Sequence, residues 1–453
     1  MSAVRDYIDR NMGRFREELD TFLRIPSVSA RGEHDADTRA AAEWLADRMR
    51  DAGLSVTVHE TAGHPIVVGD YHAADGAPTV LIYGHYDVQP PEPLDLWTSP
   101  PFEPEVRDGR LYARGSVDDK GQLYLHVKAI EAHLRGGEGL PVNVILLAEG
   151  EEEVGSEHLM PFVSEHAERL GADYIVISDS TMYQPGMPSI GASLRGLAYF
   201  QLDVQGPASD LHSGSYGGAV VNPANALAAI IASMHDEAGR VAIDGFYDNV
   251  DTPQAYLDQI ASLPFSDESF REEVGAPALG GEEGHSTLER VWVRPTLDVN
   301  GLLSGYTGEG SKTVLPGRAM AKVSCRLVPN QDPDRIRALV EAHVARVTPP
   351  GVAVEVSFLH GGRPWLATLE GPLVDAAAGA LEEAFGPAPV FAGEGGSIPI
   401  VDEFERVLGA RALLMGFGLP GENAHAPDEW ISVENFEKGT HAAAALLAGL
   451  GSG

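Results

Sequence analysis

The first part of the chain carries apolar residues at helical spacing. Residues 1 to about 24 place apolar side chains three or four positions apart, which predicts an amphipathic helix that ends before Pro26. A second helix is predicted over 38–52, with Gly53 as its end. The chain is therefore expected to begin with two helices before its first strand.

Short apolar runs follow, and they alternate with further helical patterns. The predicted strands cover residues 56–59, 65–69, 79–83, 142–148 and 174–178. The predicted helices cover residues 120–134 and 156–170. This alternation predicts an α/β fold, a mixed sheet with helices on both faces.

Near residue 191 the pattern changes to that of a smaller α+β unit. Antiparallel strands are predicted over 198–205, 317–329 and 352–359, with two helices over 222–234 and 333–347. After residue 365 the first pattern returns, with a helix over 372–385, a strand over 411–417 and a terminal helix from Val433. We therefore expect a catalytic α/β domain of residues 1–192 and 369–453, interrupted by an inserted domain of residues 193–368.

The composition narrows the classes of partner. The chain has 453 residues, with 32 basic and 67 acidic side chains and a formal net charge of -35. Such a surface repels nucleic acid and anionic membranes, so neither is expected as a partner. Solubility or a saline habitat would each account for the acidity. With one cysteine, no secretory pattern at the N-terminus and no apolar run of about 20 residues, a soluble cytoplasmic protein is expected.

The predicted strand over 79–83 ends in a conspicuous polar pair. Gly84 follows the strand, and then His85 and Asp87 stand two positions apart, so that on an extended chain they point to the same side. An imidazole and a carboxylate presented together predict one wall of a metal site. Asp87 is either a ligand itself or the partner that orients the His85 ring. An ordinary strand exit with two solvated polar residues is the alternative.

Four further polar stretches follow apolar runs. They hold the adjacent acids Asp118 and Asp119, the acidic run 149–153, the acid Asp179 and the loop histidine His425. Ligands of an α/β sheet collect at the carboxyl ends of its strands, so these groups are expected at one edge. The adjacent acids either cap a helix or bridge two cations.

Mixed imidazole and carboxylate ligands suit zinc, manganese or cobalt better than calcium or magnesium. Several acids at one edge repel each other strongly unless cations are present. The inferred chemistry is hydrolysis at two divalent metal ions, most simply Zn²⁺ with Mn²⁺ or Co²⁺ as alternatives, where a bridging water becomes acidic. An additional glutamate would serve as the general base.

At these motifs the chain resembles the aminoacylase/carboxypeptidase-like metallopeptidases, and among them the carnosinase-like dipeptidase branch. The resemblance covers nearly the whole chain and rests on three motifs: Gly-His-Tyr-Asp-Val-Gln-Pro at 84–90, Ser-Val-Asp-Asp-Lys-Gly at 116–121, and Asp-Leu-His-Ser-Gly at 210–214. It implies that His85, Asp118 and Asp179 hold one metal. It implies that Asp118, as a bridging ligand, holds the second metal with Glu153 and His425.

The resemblance also implies the catalytic residues. Glu152 would be the general base, and Asp87 would orient His85. The bond between Asp118 and Asp119 is expected to be cis. The inserted domain would be a lid and dimerisation domain, whose His212 reaches the active site of the second subunit and polarises the scissile carbonyl.

The positions that match substrate-binding residues lie in the second half of the chain. They are Thr313, Arg326, His360, Gly395, Gly396 and Ser397. Arg326 is suited to a carboxylate because a guanidinium binds one through two parallel hydrogen bonds. Gly393 departs from the pattern, since relatives often carry a basic residue there.

These inferences together predict a homodimeric metallodipeptidase that cleaves short peptides with a free C-terminal carboxylate. An N-acyl-amino-acid amidohydrolase or a carboxypeptidase with the same metal site is the alternative. A peptide-binding relative without activity would be expected to have lost Glu152, Asp87 or a metal ligand, and all are present.

Overall fold

The computed structural model describes residues 1–137, 139–396 and 398–451. The chain forms two compact units. The first comprises Met1–Ala192, Ala367–Ala392 and Glu403–Gly453, and the second comprises Ser193–Leu366 and Gly393–Asp402.

A mixed sheet is the centre of the first unit. Its strands lie in the spatial order Ser55–His59, Ile66–Tyr71, Asn143–Glu149, Thr79–His85, Tyr174–Ile177, Arg411–Leu414 and Ser189–Leu194. The strand Ser189–Leu194 runs across the boundary of the units and also pairs with Val390–Glu394 and Trp365–Leu366. The four strands from Asn143–Glu149 to Arg411–Leu414 are parallel, whereas the outer pairs are antiparallel. A separate small sheet joins Glu105–Arg107, Arg110–Tyr112 and Trp430–Ser432.

Helices complete the first unit. Its helices are Ser2–Leu23, Asp35–Ala52, Lys120–Glu131, Leu159–Glu165, Pro372–Phe385 and Val433–Leu450, and Pro399–Leu408 continues into it. The first helix buries Val4, Ile8 and Phe15 with the rest of its apolar side, as the sequence spacing predicts. Short turns occur at Gly32–His34, Leu94–Leu96 and Glu152–Val154, and a wide helical turn at Ala132–Gly136.

The second unit is built on an antiparallel sheet. Its strands lie in the order Thr296–Ser304, Arg318–Leu327, Gly196–Gln205 and Ala353–Gly362, and Leu211–His212 pairs separately with Val314–Leu315. Its helices are Ser213–Tyr216, Pro223–Ala232, Gln254–Ser262, Asp267–Glu273, Thr287–Trp292 and Pro333–Val347. The side chain of Asn222 caps the helix that Pro223 opens, and Asp332 does the same before Pro333. Cys325 is a free thiol buried in this core.

The predicted α/β class with a mixed sheet is confirmed, but some elements were wrong. The helix predicted over 156–170 spans only Leu159–Glu165. The second unit has more than the two predicted helices, because Gln254–Ser262, Asp267–Glu273 and Thr287–Trp292 are too short to show a clear apolar period. None of the helices in the described residues is long and apolar enough to cross a bilayer.

A partly buried ionic cluster connects the first helix to the helix Lys120–Glu131. Glu18 accepts hydrogen bonds from Lys128 Nζ at 2.6 Å, Tyr124 Oη at 2.6 Å and Arg14 Nη1 at 2.7 Å. Burial raises the pKa of Glu18, but the hydrogen bonds from Lys128 and Tyr124 outweigh it and lower the pKa to about 2. The Glu18 carboxylate therefore stabilises the folded state at every pH at which it is ionised in both the folded and the unfolded protein.

We expect Glu18→Gln to lower the unfolding free energy of the metal-free protein by roughly 2–3 kcal/mol at pH 7. The folded-state pKa is about 2 against an ordinary 4.5, so this difference should persist above pH 4.5 and shrink as the pH falls towards 2. Urea titrations at several pH values measure it. Glu17→Gln is the matched control because its side chain is exposed on the same helix. An equal loss in both variants, or a loss independent of pH, would contradict the assignment.

Candidate metal centre

Parallel strands deliver the candidate ligands to one edge of the first unit's sheet. The strand Thr79–His85 lies between Asn143–Glu149 and Tyr174–Ile177 and runs parallel to both. His85 is paired with Glu149, so two of the strands end opposite each other, and the third strand ends at Ile177, opposite Tyr83 and two residues before Asp179. The residues that follow these ends therefore share the sheet's carboxyl edge.

The first ligand group consists of His85, Asp118 and Asp179. His85 Nε2 lies 3.1 Å from Asp118 Oδ1 and 3.7 Å from Asp179 Oδ2. One donor atom from each residue lies within 4.8 Å of the other two, close enough for one cation to bind all three. The His85 side chain is fully buried.

The second group consists of Asp118, Glu153 and His425. His425 Nε2 lies 2.8 Å from Asp118 Oδ2 and 3.2 Å from Glu153 Oε2. Asp118 thus offers a different oxygen to each group, Oδ1 towards His85 and Oδ2 towards His425. This is the arrangement of a carboxylate that bridges two cations.

The donor set fits two divalent metal ions. Imidazole nitrogens and carboxylate oxygens are the ligands that Zn²⁺, Mn²⁺ and Co²⁺ accept, and cysteine takes no part. Glu153 Oε1 is buried and has no hydrogen-bond partner among the described residues. A buried carboxylate oxygen without a donor is unfavourable, and a bound cation would satisfy it.

Asp87 contacts residues of both ligand groups without belonging to either group. His85 Nδ1 lies 3.1 Å from the Asp87 carbonyl oxygen, close enough to donate a hydrogen bond to it, and the opposite ring nitrogen Nε2 faces Asp118. The Asp87 carboxylate accepts from Ser29 Oγ at 2.6 Å and from the backbone N–H groups of Glu152 and Glu153 at 3.3 and 3.2 Å. It therefore holds both the ring of His85 and the turn that carries the two glutamates.

The crowded acids shift each other's pKa. Burial opposes protonation of His85, but its bonds to Asp118 and Asp87 raise its pKa well above the ordinary value. Burial and the neighbouring Asp118 raise the pKa of Asp179. Burial also raises the pKa of Glu152 to about 6, with His85 acting against it and Glu153 adding to it. These acids are close enough for a cation to change their ionisation.

A buried acid that the sequence analysis missed holds the loop before Asp118. The Glu429 carboxylate is fully buried and accepts hydrogen bonds from Arg114, Gly115, Val117 and Asp118. The Asp118–Asp119 peptide bond is cis, as the resemblance implied. Glu429 could have been noticed in the sequence only as an acid in the same loop as His425, directly before a strand.

His212 and Thr313 lie side by side in the second unit. His212 pairs with Val314, and Ser213 N donates to the Thr313 carbonyl oxygen at 3.1 Å. His212 Nδ1 accepts from the backbone N–H groups of Gly214 and Ser215 at 3.0 and 3.2 Å. Since Nδ1 is an acceptor, a neutral His212 carries its proton on Nε2. The exposed ring therefore presents an N–H donor.

The other predicted substrate residues of the second unit lie on its sheet and on one loop. Arg326 is on the strand Arg318–Leu327, and the exposed His360 on Ala353–Gly362 stacks on Tyr199 at 5.2 Å between ring centroids. Arg195 holds the loop that contains Gly395 and Gly396. Its Nε donates to the Gly395 carbonyl oxygen at 3.0 Å, and its backbone N–H donates to the Gly396 carbonyl oxygen at 3.1 Å. Ser397 lies outside the described residues.

Gly393 has no room for a side chain. A Cβ atom there would lie 2.7 Å from Trp292 Cβ and 2.8 Å from Ser193 Oγ. The buried Trp292 thus lies against the position where the family resemblance led us to expect a basic residue. The departure noted in the sequence has a steric cause within this unit.

Fold and ligand geometry agree with the comparison to known proteins. Residues 81–449 match the sequence profile of Peptidase family M20/M25/M40. The chain belongs to this family, which confirms the resemblance to the metallopeptidases.

Individual relatives show which branch is nearby. A Cys-Gly metallodipeptidase of Schizosaccharomyces pombe is 34% identical over 456 residues, which cover 97% of this chain and 96% of the relative. The human Beta-Ala-His dipeptidase is 30% identical over 440 residues, covering 96% and 85% respectively. The crystal structure of an M20 family metallo-carboxypeptidase from Sulfolobus solfataricus matches with a TM-score of 0.85 and 34% identity, over 97% of this chain and 99% of that one. The predicted carnosinase-like branch is therefore confirmed.

Because Asp118 belongs to both ligand groups, its substitution should affect metal binding more than substitution of Asp179. We expect Asp118→Asn to weaken binding of both ions and Asp179→Asn to weaken binding of one, since Asp179 belongs to a single group. Equilibrium dialysis against Zn²⁺ with metal analysis gives the stoichiometry. The control is Asp70→Asn, which removes an acid of the same sheet that pairs with Arg169. Two ions bound unchanged by the Asp118 variant would rule out the bridge.

Proposed function

We propose that this protein is a metallodipeptidase that hydrolyses short peptides with a free C-terminal carboxylate. The observation that carries the proposal is the pair of ligand groups that share Asp118, with Glu152 next to the candidate ligand Glu153. His85 and Asp179 complete one group, and His425 completes the other.

The proposed cofactors are two divalent ions, Zn²⁺ first and Mn²⁺ or Co²⁺ as alternatives. When bound, such ions polarise a carbonyl oxygen and make a water acidic at neutral pH. The residues of the chain would fix the positions of the ions and exclude other ligands.

Glu152 is the proposed general base. Its backbone N–H is held by Asp87, which ties the turn to His85 and so fixes the carboxyl group relative to the ligands. Burial raises its pKa to about 6, nearer to neutrality than an ordinary glutamate. A carboxylate of this kind accepts a proton from water and passes it to the leaving amine.

His212 is proposed to stabilise the negative charge that develops on the scissile carbonyl. Its Nδ1 is occupied by two backbone N–H groups, so its Nε2–H is available to an oxygen. We propose that His212 acts in the active site of a second subunit, with the second unit as lid and dimerisation domain. A cytoplasmic location completes the proposal.

Arg326 is the proposed anchor of the substrate carboxylate. The other proposed substrate-binding residues are Thr313, His360, Gly395 and Gly396, together with Ser397, which is proposed from the sequence alone. The named substrates of the relatives, Cys-Gly and β-Ala-His, are dipeptides. A carboxypeptidase activity is the second candidate, favoured by the likeness to the Sulfolobus solfataricus enzyme. Comparing dipeptides with longer peptides and N-acetyl amino acids separates these activities.

The role of Glu152 is tested by Glu152→Gln in enzyme loaded with Zn²⁺, Mn²⁺ or Co²⁺. We expect the variant to keep both metals and to lose at least about 100-fold in kcat on the best dipeptide of the panel. Glu157→Gln is the control, because Glu157 is an exposed acid in the same stretch. Turnover within a factor of a few of the wild type would show that Glu152 is not the base. Wild-type turnover confined to longer peptides or acylated amino acids would replace the dipeptidase assignment.

The cross-subunit role of His212 is tested by mixing two inactive variants. His212→Ala and Glu152→Gln should each be nearly inactive, and a mixture should regain up to about a quarter of wild-type activity if each site combines both subunits. Light scattering establishes the oligomeric state of each sample. A fully active monomer, or a mixture with no more activity than its parts, would exclude the shared site.

A further inference from the structure

Glu429 occupies a cradle of donors behind the candidate metal centre. Its Oε2 accepts from Arg114 Nη1 at 2.7 Å and from Gly115 N at 2.9 Å. Its Oε1 accepts from Val117 N at 3.0 Å and from Asp118 N at 3.1 Å. Four donors thus converge on one fully buried carboxylate, which leaves the loop before Asp118 with few alternative conformations.

The partners of Glu429 lie more than 300 residues away in sequence. The loop at 115–118 carries Asp118, whose two oxygens face His85 and His425. Glu429 itself lies four residues after His425, at the end of the other ligand-bearing loop. Its carboxylate is therefore a direct connection between the segments that carry Asp118 and His425.

The loop of His425 needs such support. His425 has a φ of 62°, and Asn423 and Asp428 have φ values of 58° and 55°, all in the left-handed region that non-glycine residues rarely adopt. The loop is held at Asp428 by Thr98, whose backbone N–H and Oγ donate to it at 2.8 and 2.6 Å. Backbone strain of this kind persists only where surrounding contacts fix it.

A second buried acid in the same region provides a contrast. Glu422 is also buried, and it accepts from Leu419 N at 2.7 Å and Ser432 N at 3.0 Å. These partners lie within ten residues of it on the same segment. Glu422 thus closes the segment that contains His425, whereas Glu429 also reaches the backbone of Asp118.

We propose that Glu429 is a positioning residue of the metal centre, which sets the separation of Asp118 and His425 by holding the backbone N–H of Asp118 against the His425 loop. This inference rests on the proposed function, since it concerns the affinity of the same two ions. Outer partners that orient metal ligands contribute about 10- to 100-fold in metal affinity. The second ligand group depends most on Glu429, because it combines Asp118 with His425.

The test compares Glu429→Gln with Glu422→Gln. In Glu429→Gln an amide NH₂ group replaces one of the two acceptor oxygens. Because an NH₂ group cannot accept a hydrogen bond, the N–H donors that face it lose their acceptor. Zn²⁺ affinity of each apoprotein is measured by competition with a chromophoric chelator, and circular dichroism and thermal unfolding of the apoproteins report the fold. We expect Glu429→Gln to lose about 10- to 100-fold in affinity for at least one ion. Glu422→Gln should lose clearly less, because it supports the His425 segment alone and leaves the backbone of Asp118 in place.

A conservative variant separates positioning from folding. Glu429→Asp keeps the charge but withdraws the oxygens, so it should bind the ions with an affinity between those of the wild type and Glu429→Gln. It also serves as the test variant if Glu429→Gln does not fold. At saturating metal, the loss in Glu429→Asp should appear in kcat with little change in KM.

The outcomes separate the proposed function from the proposed role of Glu429. Failure of the wild-type protein to bind two ions would overturn the proposed function. Two ions in the wild type and equal affinity in the Glu429 variants would overturn this inference alone. Equal losses of affinity and thermal stability in the Glu422 and Glu429 variants would reduce Glu429 to a general structural role and would also overturn it.

Discussion

The position of the Asp118 carboxylate is the constraint on which the rest of the candidate site depends. Its two oxygens lie 3.1 Å from His85 Nε2 and 2.8 Å from His425 Nε2, so one side chain belongs to both ligand groups. Asp179 and Glu153 bring further carboxyl groups into the same space. Burying several carboxyl groups together is unfavourable unless positive charge is gathered with them. The fold therefore has to impose a geometry that the free side chains would avoid.

The chain achieves this geometry with contacts behind the ligands. Parallel strands bring His85 and the residues after Ile177 to one level, and the Asp87 carboxylate holds the turn of Glu152 and Glu153. The loop of Asp118 is held from its own backbone rather than by its side chain. His85, Glu153 and Asp118 are thus each held by a group other than a ligand. Such a division lets the ligand atoms keep their lone pairs free.

Local patterns in the sequence predicted most of the sheet and the polar stretches that follow its strands, and the family resemblance singled out the five candidate ligands among them. The strand before His85 and the helix Pro333–Val347 were predicted because apolar period, capping and breaking residues agree within a few positions. The short helix Asp267–Glu273 has little apolar period and was missed. Glu429 was missed for a different reason: its four partners lie over 300 residues earlier, and its neighbours in sequence show nothing of them. Candidate ligands at strand ends can be recognised from the local sequence, whereas the residues that hold them in place can be recognised only from tertiary contacts.

The close packing of Trp292 against Gly393 limits how this protein can diverge from its relatives. Because a Cβ atom at 393 would lie 2.7 Å from Trp292 Cβ and 2.8 Å from Ser193 Oγ, a lysine or arginine does not fit there with the present backbone. Exchanging Trp292 for a smaller residue would not by itself make room, since every residue except glycine keeps the Cβ atom. The exchange would also leave a cavity at a buried position. A basic residue at 393 therefore requires the neighbouring backbone segments to move apart, which is a larger change than one substitution supplies.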